Sequence, residues 1–137
     1  MADTAPDLTD ADYAFLAEFR FVLRRFLSFS EQAAAGCGLT PQQHQALLAI
    51  RAAPAGRATI GHVAERLILK PHSASGLVER LEALGLLTRA PSPIDRRQTL
   101  LVLTAEADGI LAQLSTTHRE EIRRLRPMLT ELLAQID

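Results

Sequence analysis

A single cysteine, Cys37, is the whole thiol complement of this 137-residue chain. No internal disulfide can form, and no cysteine pair offers the spacing of a structural zinc site. The four histidines, His44, His62, His72 and His118, nowhere fall two to one helical turn, so a metal site is not expected, nor any other cofactor. No apolar run approaches the roughly 18 residues of a membrane span. The opening Met1-Ala2-Asp3-Thr4 lacks the basic start and apolar stretch of a secretory leader. A cytoplasmic chain with no membrane partner is the expectation. Enzyme chemistry is not expected either, because no glycine-rich phosphate loop occurs and no nucleophile, base and orienting group fall in a recognisable arrangement. What the chain does have is 47% apolar residues, enough for one modest core in a single domain spanning 1–137.

The net charge of −1 hides an uneven distribution. Residues 1–50 carry three basic against six acidic side chains, 51–97 eight against four, and 98–137 four against six. A basic middle between acidic ends suits a polyanion-binding segment mounted on a scaffold, although a solvated helix face gives the same count.

The scaffold begins with a long helix, capped by Thr9 with Asp10 and Asp12 in its first turn and running to about Ala35. Phe15, Phe19, Val22, Phe26 and Phe29 recur every three or four residues along it, with Leu16, Leu23 and Leu27 beside them. A helix of this length reaches about 40 Å, so part of its apolar face is expected to meet another chain rather than serve only the intramolecular core. Thr104 caps a second long helix with the same rhythm from Leu111 to Ile136, which Pro127 is expected to break or kink. Regions 8–35 and 105–137 are therefore expected to form a homodimer about a two-fold axis.

Between them, 40–104 holds short elements. Thr40 and Pro41 open a helix to about Ala52, Arg57-Ala58 reads as a short extended piece, and Thr59 caps a helix burying Ile60, Val63, Ala64 and Leu67. The three-residue turn Ile68-Leu69-Lys70 leads to Pro71 and a helix whose inward face is Ala74, Leu77, Val78, Leu81 and Leu84, stopped by Gly85. Two short helices so joined make a helix-turn-helix. On the outer face of the second lie His72, Ser75, Gly76, Glu79 and Arg80, with Ser73 beside them. Small polar residues there can approach base edges in a major groove, and close backbone approach to DNA would account for a glycine inside a helix. Any exposed helix face, however, carries serines and an arginine.

The next segment distinguishes the two. Leu86 to Arg89 reads as a strand, Gln98 to Leu103 as its antiparallel partner, and Ala90 to Arg97 as the loop. The fold class is mainly α with a small β-hairpin wing: a winged helix-turn-helix flanked by N- and C-terminal dimerisation helices. Asp95 stands two residues before Arg97 and can hold its guanidinium extended, beside Arg96, as a minor-groove contact requires.

At these residues the chain resembles the MarR-type (multiple antibiotic resistance regulator) winged-helix transcription factors. The resemblance covers nearly the whole chain. Its most specific parts are Leu77-Val78-Glu79-Arg80-Leu81-Glu82, Gly85-Leu86, and Asp95-Arg96-Arg97 followed by the apolar strand and Leu103-Thr104. The resemblance implies that the wing, with Asp95, Arg96 and Arg97, enters the minor groove and that the second helix reads the major groove through Ser73 and Ser75, with His72 and Gly76 on the same face. Arg80, together with Lys70, would lie near the DNA backbone. It also implies a homodimer on a palindromic operator of double-stranded DNA, acting as a repressor that responds to a phenolic or antibiotic-like molecule. Two departures stand out: Gly76 replaces a larger polar or basic residue, and the glycine usual after the Leu-Thr pair is absent, with Ala107 there and Gly109 two residues later. Cys37 reads as a small buried or loop thiol rather than a peroxide sensor, and His118 as a core hydrogen-bonder rather than a ligand-cavity residue. The rival function is a winged helix used only for protein contacts.

Overall fold

The computed structural model describes residues 7–136, so Met1 to Thr4 and the last residue of 105–137 lie outside the described residues. Five helices and one hairpin follow in the order α1 (Asp10–Gly36), α2 (Pro41–Ala52), α3 (Ile60–Leu67), α4 (Pro71–Ala83), β1 (Leu87–Pro91), β2 (Thr99–Leu103) and α5 (Ala105–Leu133). Local chemistry sets most helix starts. Thr9 and Asp12 cap each other's backbone at α1, as Thr40 and Gln43 do at α2, and the hydrogen bonds Asp12 accepts from Thr9 hold its carboxyl below the usual range. Thr59 and Thr104 each accept one N–H three residues on, from His62 and Ala107. The hydroxyl of Thr104 also donates to the Gly85 carbonyl at 2.8 Å, fastening the start of α5 to the end of α4.

Three helix ends share one closure. At α1, α3 and α4 a residue with positive φ turns the chain, and the following leucine N–H (Leu39, Leu69, Leu86) reaches back to Ala34, Ala64 or Leu81 at 2.9–3.0 Å. Gly38 and Gly85 occupy the turning position at α1 and α4, but Ile68 occupies it at α3 with φ 55°.

The core gathers Leu47 and Ile50 of α2, Val63 of α3, Ala74, Leu77, Val78 and Leu81 of α4, Leu86 and Leu87, Leu101 of β2, and Leu111 and Leu114 of α5. In the hairpin Leu87 pairs with Leu103 and Pro91 with Thr99, so β1 extends past the expected Arg89. Pro91 is tolerated at the end of a strand in a two-stranded sheet, where a missing donor costs least. The extended piece at Ala58 accepts a 2.7 Å bond from Leu101 N–H, which joins the hairpin stem to the helix-turn-helix.

Leu84, expected inside, is 53% exposed, because α4 ends there and the turn at Gly85 sends Leu86 and Leu87 into the core instead. Pro127 does not interrupt α5, which runs six residues beyond it. The proline removes a single backbone donor, and Leu125 and Leu132, both buried, hold the helix on either side. Helix α5 packs along α1. His118 is buried between them, donating from Nδ1 to the Leu114 carbonyl (2.7 Å) and meeting Ser30 Oγ through Nε2 (2.8 Å), the satisfied core histidine the sequence suggested. The ring of His44 of α2 lies 4.8 Å from it, centroid to centroid and tilted by 45°, with its own Nδ1 buried and unpartnered. Burial, then the neighbouring His118, pushes the His44 pKa down. Cys37 is half-buried against the core.

Candidate nucleic-acid interface

Helix α4 owes its orientation to Ala74, Leu77, Val78 and Leu81, all buried at helical spacing against α3 and the core. The opposite side is thereby turned to solvent: His72, Ser73 and Arg80 are exposed, and Ser75 and Gly76 half-buried. Lys70 occupies the N-cap without a side-chain capping bond, and Pro71, the first helical residue, has no N–H to leave unpaired. The side chain of Arg80 runs back along the helix, placing Nη2 3.7 Å from where a Cβ on Gly76 would stand.

The wing is built around Ser92, only 5% exposed, whose Oγ accepts the N–H groups of Ile94 (3.2 Å) and Asp95 (3.1 Å). Backbone bonds from Ser92 N–H to Gln98 and from Gln98 N–H to Asp95 close the loop. Asp95, thus fixed, accepts from the Arg97 backbone N–H at 3.0 Å and from its Nε at 3.4 Å. Because Nε makes the contact, both terminal nitrogens of Arg97 are left facing outward on a side chain that is 92% exposed. Arg96 is exposed beside it, as is Ile94. Arg89 on β1 meets Glu82 of α4 at 3.3 Å and ties the stem to that helix. Among the described residues Lys70, Arg80 and Arg96 have no carboxylate within 4.0 Å.

The predicted site residues therefore form two groups, His72, Ser73, Ser75, Gly76 and Arg80 along one face of α4, with Lys70 at its start, and Asp95, Arg96 and Arg97 on the wing. No three histidine, cysteine or acidic side chains cluster as metal ligands among the described residues. No described helix is long and apolar enough to cross a membrane.

Residues 38–98, which span the helix-turn-helix and the wing loop, match the MarR family. Over these residues, fewer than half of the chain, the sequence is similar to the MarR family. It is similar to the HTH-type transcriptional regulator MhqR of Bacillus subtilis (strain 168), 30% identical over 76 residues. That similarity covers 56% of this chain and about half, 52%, of MhqR. Among solved structures, the MarR family regulator AbsC from Streptomyces coelicolor superposes with a TM-score of 0.72 at 20% identity, over 96% of this chain and 100% of AbsC. A mutant of Staphylococcus aureus MepR bound to an oligodeoxyribonucleotide superposes with 0.67 at 20% identity, over 96% and 100% of the two chains. At these identities the superpositions establish the MarR fold.

Sequence reasoning missed Ser92, the residue that shapes this wing. Its signal is nonetheless present: a serine followed by proline and, three residues on, by aspartate is a hydroxyl-capped turn.

Proposed function

We propose that this protein is a DNA-binding transcriptional regulator, acting as a homodimer on an inverted-repeat operator. The observation that carries the reading is the Asp95-held Arg97 on an exposed basic wing tip, next to a helix whose outer face is small and polar. In this reading α4 enters the major groove with His72, Ser73, Ser75 and Gly76 toward the bases. Lys70 and Arg80 add positive charge beside the duplex, and Arg96 and Arg97, braced by Asp95, enter the narrow minor groove, where negative potential is concentrated. The oligonucleotide in the MepR mutant structure is consistent with this assignment.

Exposed Tyr13, Leu16, Leu23 and Leu27 on α1 and Ile122 and Leu133 on α5 leave apolar surface on both terminal helices, which supports dimerisation through 8–35 and 105–137 with the winged helix of 40–104 outside. Two copies would then present their α4 helices to successive major grooves about 34–36 Å apart. Repression relieved by a small phenolic or antibiotic-like molecule completes the proposal, as does a cytoplasmic site of action.

Fluorescence anisotropy on a panel of duplexes tests it. Arg97→Ala should weaken binding to every duplex alike and lower the slope of log affinity against log salt by about 1. Salt-insensitive binding, or none in the wild type, would favour a protein-contact module. A monomer in sedimentation at micromolar concentration would remove the dimer.

A further inference from the structure

The second and third turns of α4 contribute a pair, Gly76 and Arg80, whose geometry departs from a plain phosphate contact. Residues 76 and 80 lie one above the other on the helix surface, and every Cα–Cβ bond tilts toward the helix N-terminus. The side chain of Arg80 follows that tilt and lies over Gly76, with Nη2 at 3.7 Å from the position of a missing Cβ. Arg80 starts nine residues beyond Pro71, about 14 Å along the axis from the end of the helix that goes deepest into a groove. Folding back returns its guanidinium by about one turn, to the level of Gly76. A longer side chain at 76 would fill that space and force the arginine outward, toward the flanking backbone.

We infer that Arg80 reads a guanine edge in the major groove from its seat over Gly76, so that the two residues together specify one base pair in each half-site. This rests on the proposal that α4 enters the major groove. The chemistry selects guanine among the four bases. Arg80 has no carboxylate within 4.0 Å among the described residues. Its donors are therefore free, and a planar fork of N–H groups with no acceptor matches the paired O6 and N7 acceptors of guanine. Adenine and cytosine each present an amino donor there, and thymine a single acceptor beside a methyl group.

Selection of bound sequences from a pool of randomised duplexes, run in parallel with the wild type, Arg80→Ala, Arg80→Lys and Gly76→Leu, tests the inference. Thermal melting confirms that each variant folds. The wild type should enrich a guanine at one fixed position per half-site. Arg80→Ala should lose that preference, roughly 5- to 150-fold in relative affinity, while the preferences at other positions persist. Gly76→Leu, which keeps the arginine but removes its seat, should lose the same preference. Arg80→Lys should keep much of the overall affinity but lose most of the guanine preference. If Arg80→Ala weakens all duplexes alike without changing the selected sequence, or if lysine restores the wild-type preference in full, Arg80 is a point charge on phosphate and the inference fails. If the wild type enriches no sequence at all, the proposal of sequence-specific DNA binding fails with it.

Discussion

Replacing Ile68 by glycine should stabilise the protein. Of the four described residues with positive φ, three are glycines and the fourth is this β-branched side chain. The turn cannot avoid the conformation: the Leu69 N–H bonds back to Ala64 at 2.9 Å only because residue 68 reverses the chain, as Gly38 and Gly85 do at the other two helix ends. For an L-residue the left-handed region costs roughly 1–2 kcal/mol, and more for a branched Cβ than for alanine. Glycine removes that cost but adds unfolded-state entropy of roughly 0.5–1 kcal/mol. Almost no burial is lost, because Ile68 is 92% exposed. The net expectation is a gain of about 0.5–1 kcal/mol, or a rise of about 3 °C in Tm for a chain of this size. Urea denaturation of Ile68→Gly, Ile68→Asn and Ile68→Ala isolates the cause. Asparagine tolerates the left-handed region and should recover part of the gain, whereas alanine, still an L-residue without local hydrogen bonding, should recover least. Equal gains for alanine and glycine would refute the backbone argument and implicate the exposed apolar surface. A loss of stability with glycine would show that the isoleucine side chain has a partner.

Other expectations follow from the same kind of reasoning. Ser92→Ala deprives two backbone N–H groups of their acceptor, at a cost of about 1 kcal/mol each if water does not replace it. It should weaken duplex binding through a loosened wing while leaving the melting of the helical core nearly unchanged; retention of full affinity by Ser92→Ala would show that the tip is shaped by Asp95 alone. His44 has a pKa held below its ordinary 6.5 by burial and by His118, so the unfolded chain takes up a proton that the folded chain resists. Its stability contribution is unaffected above pH 6.5 and falls as the pH drops below it, by at most about 1.4 kcal/mol per pH unit. Urea midpoints at pH 7.5 and 5.5 should converge in His44→Leu relative to the wild type. Leu81→Ala, at a fully buried position, should cost about 2–5 kcal/mol, and Leu84→Ala, at the exposed end of the same helix, under about 1 kcal/mol by chemical denaturation.

How much of this could be read without coordinates depended on the distance over which each feature is decided. The caps at Thr9, Thr40, Thr59 and Thr104 were legible because donor and acceptor are three residues apart. The Asp95 to Arg97 contact spans two residues, and it formed as expected. Leu84 was misread because its exposure is settled beyond the helix, by the reversal at Gly85 that puts Leu86 and Leu87 into the space a periodic extrapolation gives to residue 84. The partner of His118, Ser30, lies 88 residues away, and no spacing rule could have named it. A break at Pro127 follows from local propensity, yet α5 continues through it with Leu125 and Leu132 buried on either side. Gly76 is the intermediate case. A glycine inside a helix was visible as an anomaly, and close DNA approach was one explanation for it. The four-residue helical offset that places Arg80 over it supplies another, in which the missing side chain makes room for one from the next turn. If α4 enters the major groove as proposed, a larger residue at 76 would face the bases itself, and glycine would give that position to Arg80. On that proposal the glycine at 76 moves a contact to a neighbouring residue instead of deleting it.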